Sequence, residues 1–188
     1  MKATILNGSL KDNGVSENIH ELIRNELERK NWDAESFILR HMKITYCIGC
    51  FGCWIETPGS CLIKDDAIEV AREYINSDLV IFITPVTFGG YSSELKKALD
   101  RLICLISPFF MRIEGEVHHK PRYERYPNLI GIGLLNNEDM ESERIFSILF
   151  ERNAINMHAP VHESQVFLYN QTSEDMRQKI QSLFSKVM

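Results

Sequence analysis

The most constraining feature of this chain is one uninterrupted apolar run near its middle. Residues 79–84 read Leu, Val, Ile, Phe, Ile and Thr, with Asp78 before them and Pro85 after them. A strand that is apolar at every position, rather than at every second one, is buried on both faces, which is typical of a parallel sheet with helices on both sides. The run therefore predicts an α/β fold built on a parallel sheet.

Shorter apolar runs and helical patterns alternate along the rest of the chain. Ser16, Asp65 or Asp66, and Thr172 or Ser173 are the expected helix N-caps. Five strands interleaved with five helices predict a doubly wound three-layer sandwich that forms a single domain over residues 1–188. The other predicted strands lie at about residues 2–7, 34–41, 129–135 and 164–169, and the helices at about 16–30, 66–76, 92–105, 140–153 and 173–187.

The polarity of the strands predicts their order in the sheet. The first strand is apolar, which favours a central position, and the second is more polar, which favours an edge, so we expect a five-stranded parallel sheet of order 2-1-3-4-5. Such sheets bind ligands at the carboxyl ends of the strands, where the order reverses. This places a site in the loops after strands one, three and four. Two segments fall outside the pattern: an irregular cysteine loop at 43–63 and a long flap at 107–127.

Composition argues against several classes of function. The chain has 26 acidic against 21 basic residues, so its net charge of −5 disfavours binding to a nucleic-acid backbone. No apolar run approaches the roughly 18 residues of a membrane helix. The first residues do not have the pattern of a signal peptide. We therefore expect a cytoplasmic protein with neither a nucleic-acid partner nor a membrane partner.

The loop after the first strand has the groups that bind a phosphate. Its side chains Ser9, Asn13 and Ser16 offer hydrogen-bond donors and Lys11 offers a cation, and the loop runs into a helix N-terminus. The loop lacks the glycine spacing of dinucleotide folds and the ending of a P-loop. The alternative reading is a plain strand-to-helix loop with a serine cap.

The loop after the third strand has the groups that bind a flat ring. Pro85 stiffens the turn, and Phe88 beside Gly89 would present an apolar face next to exposed backbone amides. The alternative is that Phe88 and Tyr91 are packing residues. Together the two loops lie on adjacent strands at the expected switch point, which is more specific than either loop alone.

These two loops resemble those of the NADPH-dependent FMN reductase group of the flavodoxin-like superfamily, and in particular the iron–sulfur flavoproteins. The first loop is similar to G-S-P-R-x-x-G-N-T, with Gly8 and Ser9 at its start. The second, from Thr84 through Leu95-Lys96 to Asp100-Arg101, is similar to S-P-V-Y-x-G-x-x-S-x-x-L-K-x-x-x-D-R, and the resemblance covers residues 2–105.

The resemblance implies a flavodoxin-like fold and a bound FMN. Val15 stands where asparagine is usual, which removes one donor, and Thr87 stands where an aromatic residue is common, which weakens ring packing. The third loop, residues 133–137, could close the far side of the ring. The implied contacts are Ser9, Lys11, Asn13, Val15 and Ser16 to the phosphate, and Pro85, Val86, Thr87, Phe88 and Gly89 to the ring.

The implied activity is hydride transfer from NAD(P)H to FMN, followed by electron transfer to a quinone, a free flavin, or an iron–sulfur acceptor such as ferredoxin. The cofactor carries this chemistry, so no general acid or base is assigned. The resemblance also implies a homo-oligomer, a dimer or tetramer. The proline-rich flap and the apolar helix that ends at residues 107–110 would suit its interface. Two alternatives stay open: an electron carrier without substrate turnover, and a regulatory module that has lost its cofactor.

Four of the five cysteines are clustered within 15 residues, at Cys47, Cys50, Cys53 and Cys61. In a reducing compartment this clustering indicates metal or redox chemistry rather than a disulfide framework. Four thiolates converging from one loop suit a 4Fe–4S cluster or zinc, and the resemblance implies a cluster. A zinc site, a redox dithiol and structural thiols are the alternatives. Cys104 lies in an apolar stretch and is expected to be a small buried residue.

The expected flap contains His118, His119 and Arg122. These side chains either shield the flavin or meet the phosphate of a nicotinamide cofactor. The alternative is that the two adjacent histidines are solvated.

Overall fold

The structure is a computed structural model that describes residues 1–12 and 14–188. Within these ranges, strands and helices alternate as expected, with one additional hairpin and one short helix. The strands are β1 (Lys2–Asn7), β2 (Asp33–Ile38), β3 (Leu79–Pro85), β4 (Ile106–Ile113), β5 (Glu116–Pro121), β6 (Asn128–Leu135) and β7 (His162–Leu168). The helices are α1 (Val15–Arg29), α2 (Gly52–Ile55), α3 (Ala67–Asn76), α4 (Ser93–Arg101), α5 (Met140–Asn156) and α6 (Ser173–Val187), with 3₁₀ turns at Leu39–His41 and Leu102–Leu105.

The main sheet has five parallel strands in the order β2-β1-β3-β6-β7. Counted within this sheet alone, this is the order 2-1-3-4-5, so the predicted flavodoxin-like topology is confirmed. The more polar strand β2 lies at an edge, as its sequence predicts. The order reverses between β1 and β3, so a crevice is expected beyond the carboxyl ends of these strands.

Helices cover both faces of the sheet, which explains the continuous apolar run in β3. Its residues Leu79, Ile81 and Ile83 pack with α1 and α6, whereas Val80 and Phe82 pack with α3, α4 and α5. All five side chains are at most 2% exposed. None of the helices in the described ranges is long and apolar enough to cross a membrane.

The segment at 107–127 is more regular than the sequence predicts. Within the predicted flap, β4 and β5 form an antiparallel hairpin, which turns at Glu114 and Gly115. Both turn residues have positive φ, at 51° and 88°, and a two-residue turn of this kind matches the twist of a hairpin. Prolines at 108 and 121 and charged residues on both strands hid the pattern.

Helix boundaries differ from the prediction where backbone conformation dominates over side-chain signals. α1 begins at Val15 after Gly14, whose φ is 72°, so Ser16 is inside the helix and is not its cap. Asp66 is at the N-cap of α3, but it is Asp65 that accepts the N–H of Ala67. The predicted Thr172 cap of α6 is confirmed by its bond from the Asp175 N–H.

Candidate functional site

A cavity of about 440 Å³ opens at the carboxyl edge of the sheet, where the strand order reverses. It brings together segments that are far apart in the chain and that follow β1, β3, β6 and β7. Four of the predicted contacts lie in its wall: Lys11, Pro85, Val86 and Thr87. The remaining lining residues are Leu10, Leu134, Leu135, Asn136 and Tyr169.

The first loop is held by the ends of β1 and β3. The Gly8 N–H donates to the Ile83 carbonyl at 2.8 Å. Ser9 is fully buried, and both its N–H and its hydroxyl donate to the Asn7 side-chain oxygen, at 3.0 and 2.6 Å. The predicted phosphate donor Ser9 is therefore placed beneath the cavity rather than in its wall. Another predicted donor, Asn13, lies outside the described residues.

α1 begins four residues after Lys11, but the predicted contacts Val15 and Ser16 do not line the cavity. The first turn contains Val15, Ser16 and Glu17, whose N–H groups precede the intrahelical bonding pattern. The Ser16 side chain is buried, and its hydroxyl donates to the Glu17 carboxylate at 3.1 Å. A helix of 15 residues places partial positive charge at this end, which favours an anion next to Lys11.

The second loop is a tight turn that projects one aromatic side chain. Thr87 and Gly90 exchange two backbone hydrogen bonds, of 3.0 and 2.8 Å. Between them, Phe88 has φ 51° and is 99% exposed. Gly89 has φ 76°, and a Cβ on it would lie 2.4 Å from the Ile145 Cγ2 of α5. Phe88 is thus not a packing residue, which removes that alternative reading for this position.

The two loops are bonded directly to each other through Ser92. Its hydroxyl donates to the Gly8 carbonyl at 2.6 Å and accepts the Leu95 N–H as the N-cap of α4. Its own N–H donates to the Thr84 hydroxyl at 2.9 Å. Sequence reasoning placed Ser92 at a helix start and missed this link. The sequence signal for this close contact between the loops was Gly8: a Cβ at this position would lie 2.6 Å from the Leu95 Cβ, so a larger residue would not fit.

The third loop also reaches the cavity. The Val86 N–H donates to the Leu134 carbonyl oxygen at 2.9 Å, and this bond holds the second loop against the third. Leu135 and Asn136 complete this side, as the sequence predicts. Tyr169, which follows β7, is a lining residue that the sequence analysis did not single out.

The four clustered cysteines line one small apolar cavity of about 30 Å³, together with Arg101. Cys47 and Cys50 are exposed, Cys61 is half-buried and Cys53 is buried, and all are free thiols. Burial raises the pKa of the Cys53 thiol, and the nearby Cys61 raises it further. In the described ranges, no three or more His, Cys, Asp or Glu side chains are arranged to hold a metal ion.

A buried ion pair fixes both ends of the cysteine loop. The Arg101 guanidinium donates to both oxygens of the Asp65 carboxylate, at 2.8 and 3.0 Å, and the two side chains are only 1% and 4% exposed. It also donates to the carbonyls of Thr45, at 2.7 Å, and Ile63, at 3.1 Å. Burial alone would raise the pKa of Asp65, but Arg101 and the Thr45 N–H hold it below its usual value.

An aromatic stack joins the cysteine loop to the hairpin. Phe51 stacks on Trp54 with ring centroids 5.3 Å apart, Trp54 packs on His119 at 5.2 Å, and His119 packs on Phe110 at 4.6 Å. The His119 ring also bonds the Ser107 carbonyl. His118 is buried, so the reading of two solvated histidines is wrong. Neither histidine lines the cavity at the carboxyl edge.

One protein-family model matches the part of the chain that contains most of these features. The model of the NADPH-dependent FMN reductase family matches residues 1–123. This range contains the first two loops of the cavity and the whole cysteine loop. The third loop and Tyr169 lie beyond it.

Curated relatives and solved structures agree with this match. An iron–sulfur flavoprotein of Archaeoglobus fulgidus is 31% identical over 103 residues, which are 55% of this chain and 46% of that protein. One from Methanocaldococcus jannaschii is 32% identical over 101 residues, covering 54% and 51%. This chain thus matches about half the length of these relatives.

Among solved structures, the NAD(P)H:quinone oxidoreductase from Methanothermobacter marburgensis superimposes with a TM-score of 0.73 at 14% identity. The superposition covers 97% of this chain and 96% of that one. An FMN-dependent NADH-azoreductase from Bacillus anthracis, solved with FMN, gives 0.69 at 13% identity and covers 100% and 99%. At such low identity these two structures establish the fold alone.

Proposed function

Since this chain belongs to the NADPH-dependent FMN reductase family, we propose that it is an FMN-dependent oxidoreductase that takes hydride from NAD(P)H and passes electrons to a second acceptor. The observation that carries the proposal is the cavity at the carboxyl edge of the sheet. Its position at the switch point and its volume of about 440 Å³ suit a cofactor site of this fold.

The first loop supports binding of the FMN phosphate. Lys11 is exposed in the wall of the cavity, and the positive end of α1 begins four residues later. A cation and a helix N-terminus both favour a dianionic phosphate. The Ser9 hydroxyl is committed to Asn7, so its contribution is to shape the loop rather than to donate to the ligand.

The second and third loops support binding of the ring system. Pro85, Val86 and Leu134 offer apolar surface in the wall of the cavity and Thr87 lies in the same wall, whereas the predicted contacts Phe88 and Gly89 do not line it. When bound, FMN supplies the hydride and electron transfer chemistry. The role of these residues is to orient the ring and to exclude water from its inner face.

The acceptor is proposed only as a class: a quinone, a free flavin, or an iron–sulfur protein such as ferredoxin. The competing function is an electron carrier without substrate turnover. Rapid oxidation of NADPH by the FMN-loaded protein, with a quinone present, supports the reductase. Reduction of the bound FMN that is far slower than with a flavin reductase would favour the carrier.

The cysteine cluster is given no step in this proposal. The curated relatives are named iron–sulfur flavoproteins, and four cysteines share one cavity. As arranged, however, that cavity of about 30 Å³ and its side chains do not fit a metal ion or a cluster. Assays of iron, acid-labile sulfide and zinc on anaerobically purified protein decide whether the loop holds one in solution.

We also propose that the chain forms a homo-oligomer. The hairpin exposes Phe109 (68%) and Phe110 (60%), and the cysteine loop beside it exposes Ile48 (72%). Large apolar side chains that are exposed in this way are typical of interfaces. Light scattering after size exclusion gives the mass. A monomer at micromolar concentration contradicts this part of the proposal.

The FMN site is tested by titrating the cofactor-free protein with FMN and with riboflavin. Lys11→Met should weaken FMN binding about tenfold at low salt and leave riboflavin binding nearly unchanged, because only FMN has the phosphate. Lys120→Met, an exposed lysine of β5, is the matched control and should leave both affinities unchanged. Equal loss of FMN and riboflavin affinity in Lys11→Met would contradict the assigned phosphate position.

A further inference from the structure

A buried chain of polar side chains runs beneath the first loop. Ser9 donates twice to the Asn7 side-chain oxygen. The Asn7 nitrogen lies 3.2 Å from His20 Nδ1, and His20 Nε2 lies 3.0 Å from the Ser36 hydroxyl on β2. Ser9 and Asn7 are at most 1% exposed and His20 is 8% exposed. Neither the proposed cofactor contacts nor the hydrophobic core uses His20.

The Ser9 N–H determines the direction of every hydrogen bond in this row of side chains. The Ser9 N–H can only donate, so the Asn7 oxygen must face Ser9. The Asn7 NH₂ group then faces His20 and donates to Nδ1, which must be unprotonated. His20 therefore has its proton on Nε2 and donates it to Ser36.

We propose that His20 is a positioning residue for the first loop: its unprotonated Nδ1 orients the Asn7 amide, and that amide holds Ser9 and the backbone of the loop. The inference rests on the proposed function, because it assigns this loop to the FMN phosphate. Without an acceptor at Nδ1, the Asn7 NH₂ group loses its partner, so the amide is held less firmly and the two bonds from Ser9 to its oxygen weaken.

Protonation of His20 has the same effect as removing its acceptor. A protonated Nδ1 would face the Asn7 NH₂ group, donor against donor. Rotating the amide would instead set that group against the Ser9 N–H, so the loop loses support in either orientation. Burial lowers the pKa of His20, and Arg24 and Arg40 lower it further, while Glu17 opposes them. His20 also lines a groove of about 610 Å³ between α1 and β2, which gives protons access to it.

Two amide variants separate positioning from mere packing. In His20→Asn, the shorter side chain can place its oxygen near the position of Nδ1 and accept from Asn7. In His20→Gln, the longer side chain reaches the position of Nε2, so it bonds Ser36 and leaves Asn7 without an acceptor. We expect His20→Asn to bind FMN within about threefold of the unmodified protein and His20→Gln to bind about tenfold more weakly.

The experiment is a set of FMN titrations of the cofactor-free proteins by flavin fluorescence, between pH 5.5 and 8. The FMN phosphate also ionises in this range, but equally for all proteins. The ratio of the Kd of the unmodified protein to that of His20→Asn therefore isolates His20, and it should rise as the pH falls. A flat ratio, or equal affinities of His20→Gln and the unmodified protein, would overturn the proposal.

A second readout does not depend on FMN. The Ser9 amide should exchange with deuterium faster in His20→Gln than in the unmodified protein, and at the normal rate in His20→Asn. If the unmodified protein does not bind FMN but this pattern holds, the proposed function fails and the positioning of the loop stands. If exchange is the same in all three proteins, the positioning of the loop by His20 is refuted.

Discussion

Replacing Arg101 should release the cysteine loop and cost a large part of the stability of the protein. The guanidinium makes four hydrogen bonds, two to the Asp65 carboxylate and two to the carbonyls of Thr45 and Ile63. Arg101→Leu leaves the buried Asp65 charge without its cationic partner, which costs about 3–5 kcal/mol. Arg101→Lys keeps the charge but cannot make the paired bonds, so we expect a loss of about 2 kcal/mol.

Urea unfolding of the cofactor-free protein measures these losses. With a slope of about 2 kcal/mol per molar urea, Arg101→Leu should lower the midpoint by about 1.5–2.5 M and Arg101→Lys by about 1 M. The matched control is Arg144→Leu. Arg144 pairs with Glu141 on the exposed face of α5, so this change should leave the midpoint almost unchanged. A midpoint for Arg101→Leu equal to that of the control would refute the reasoning.

The stability contributed by the pair of Arg101 and Asp65 should also change with pH, in a direction that the pKa of Asp65 determines. Because Arg101 is among the groups that hold the pKa of Asp65 below its usual value of 3.8, this pair contributes its full stability above that value. The contribution is lost as the pH falls through the lower pKa of the folded state. Below about pH 4 the unmodified protein should therefore lose stability more steeply than Arg101→Leu, and parallel curves would contradict this.

Two further predictions concern the second loop and the thiols. Gly89→Ala should lower the free energy of unfolding by about 2–4 kcal/mol, because it adds an overlap with α5 to the positive φ. Gly115→Ala has a positive φ but open space around the new Cβ, so it should lower the free energy of unfolding by about 1 kcal/mol. Thermal unfolding measures both losses of stability, and equal losses would argue against the overlap. In a thiol-reagent assay at pH 8, exposed Cys47 and Cys50 should react first, and Cys104, whose pKa is raised to about 12 chiefly by burial, should react only after unfolding. Early labelling of Cys104, mapped by mass spectrometry, would contradict this.

The fold could be predicted because hydrophobic burial determines both the pattern and the topology. The continuous apolar run at residues 79–84 predicts a strand covered on both faces, and the polarity of β2 predicts a strand at the edge of the sheet. The hairpin at 106–121 was missed because much of it is exposed on both sides, so its residues do not alternate in polarity. Its one local signal was the pair Glu114-Gly115, which suits a hairpin turn.

The position of the cavity was predictable from the sequence, but its detailed lining was not. The loops after the strands meet at the carboxyl edge whatever their side chains do, and Lys11, Pro85, Val86 and Thr87 share one cavity there. The sequence could not show that Ser9 turns inward to Asn7, because that bond depends on the buried His20. It also could not show that Arg101 closes the cysteine loop, because Asp65 and Arg101 meet only after α3 and α4 have packed.

The turn at Phe88 has an evolutionary consequence. A phenylalanine that is 99% exposed adds nothing to the core, and its φ of 51° costs energy that asparagine or glycine would avoid. Selection for stability alone would drive this position away from phenylalanine. Laboratory selection for thermostability without cofactor should therefore replace Phe88 early, and the same selection with cofactor present should keep it.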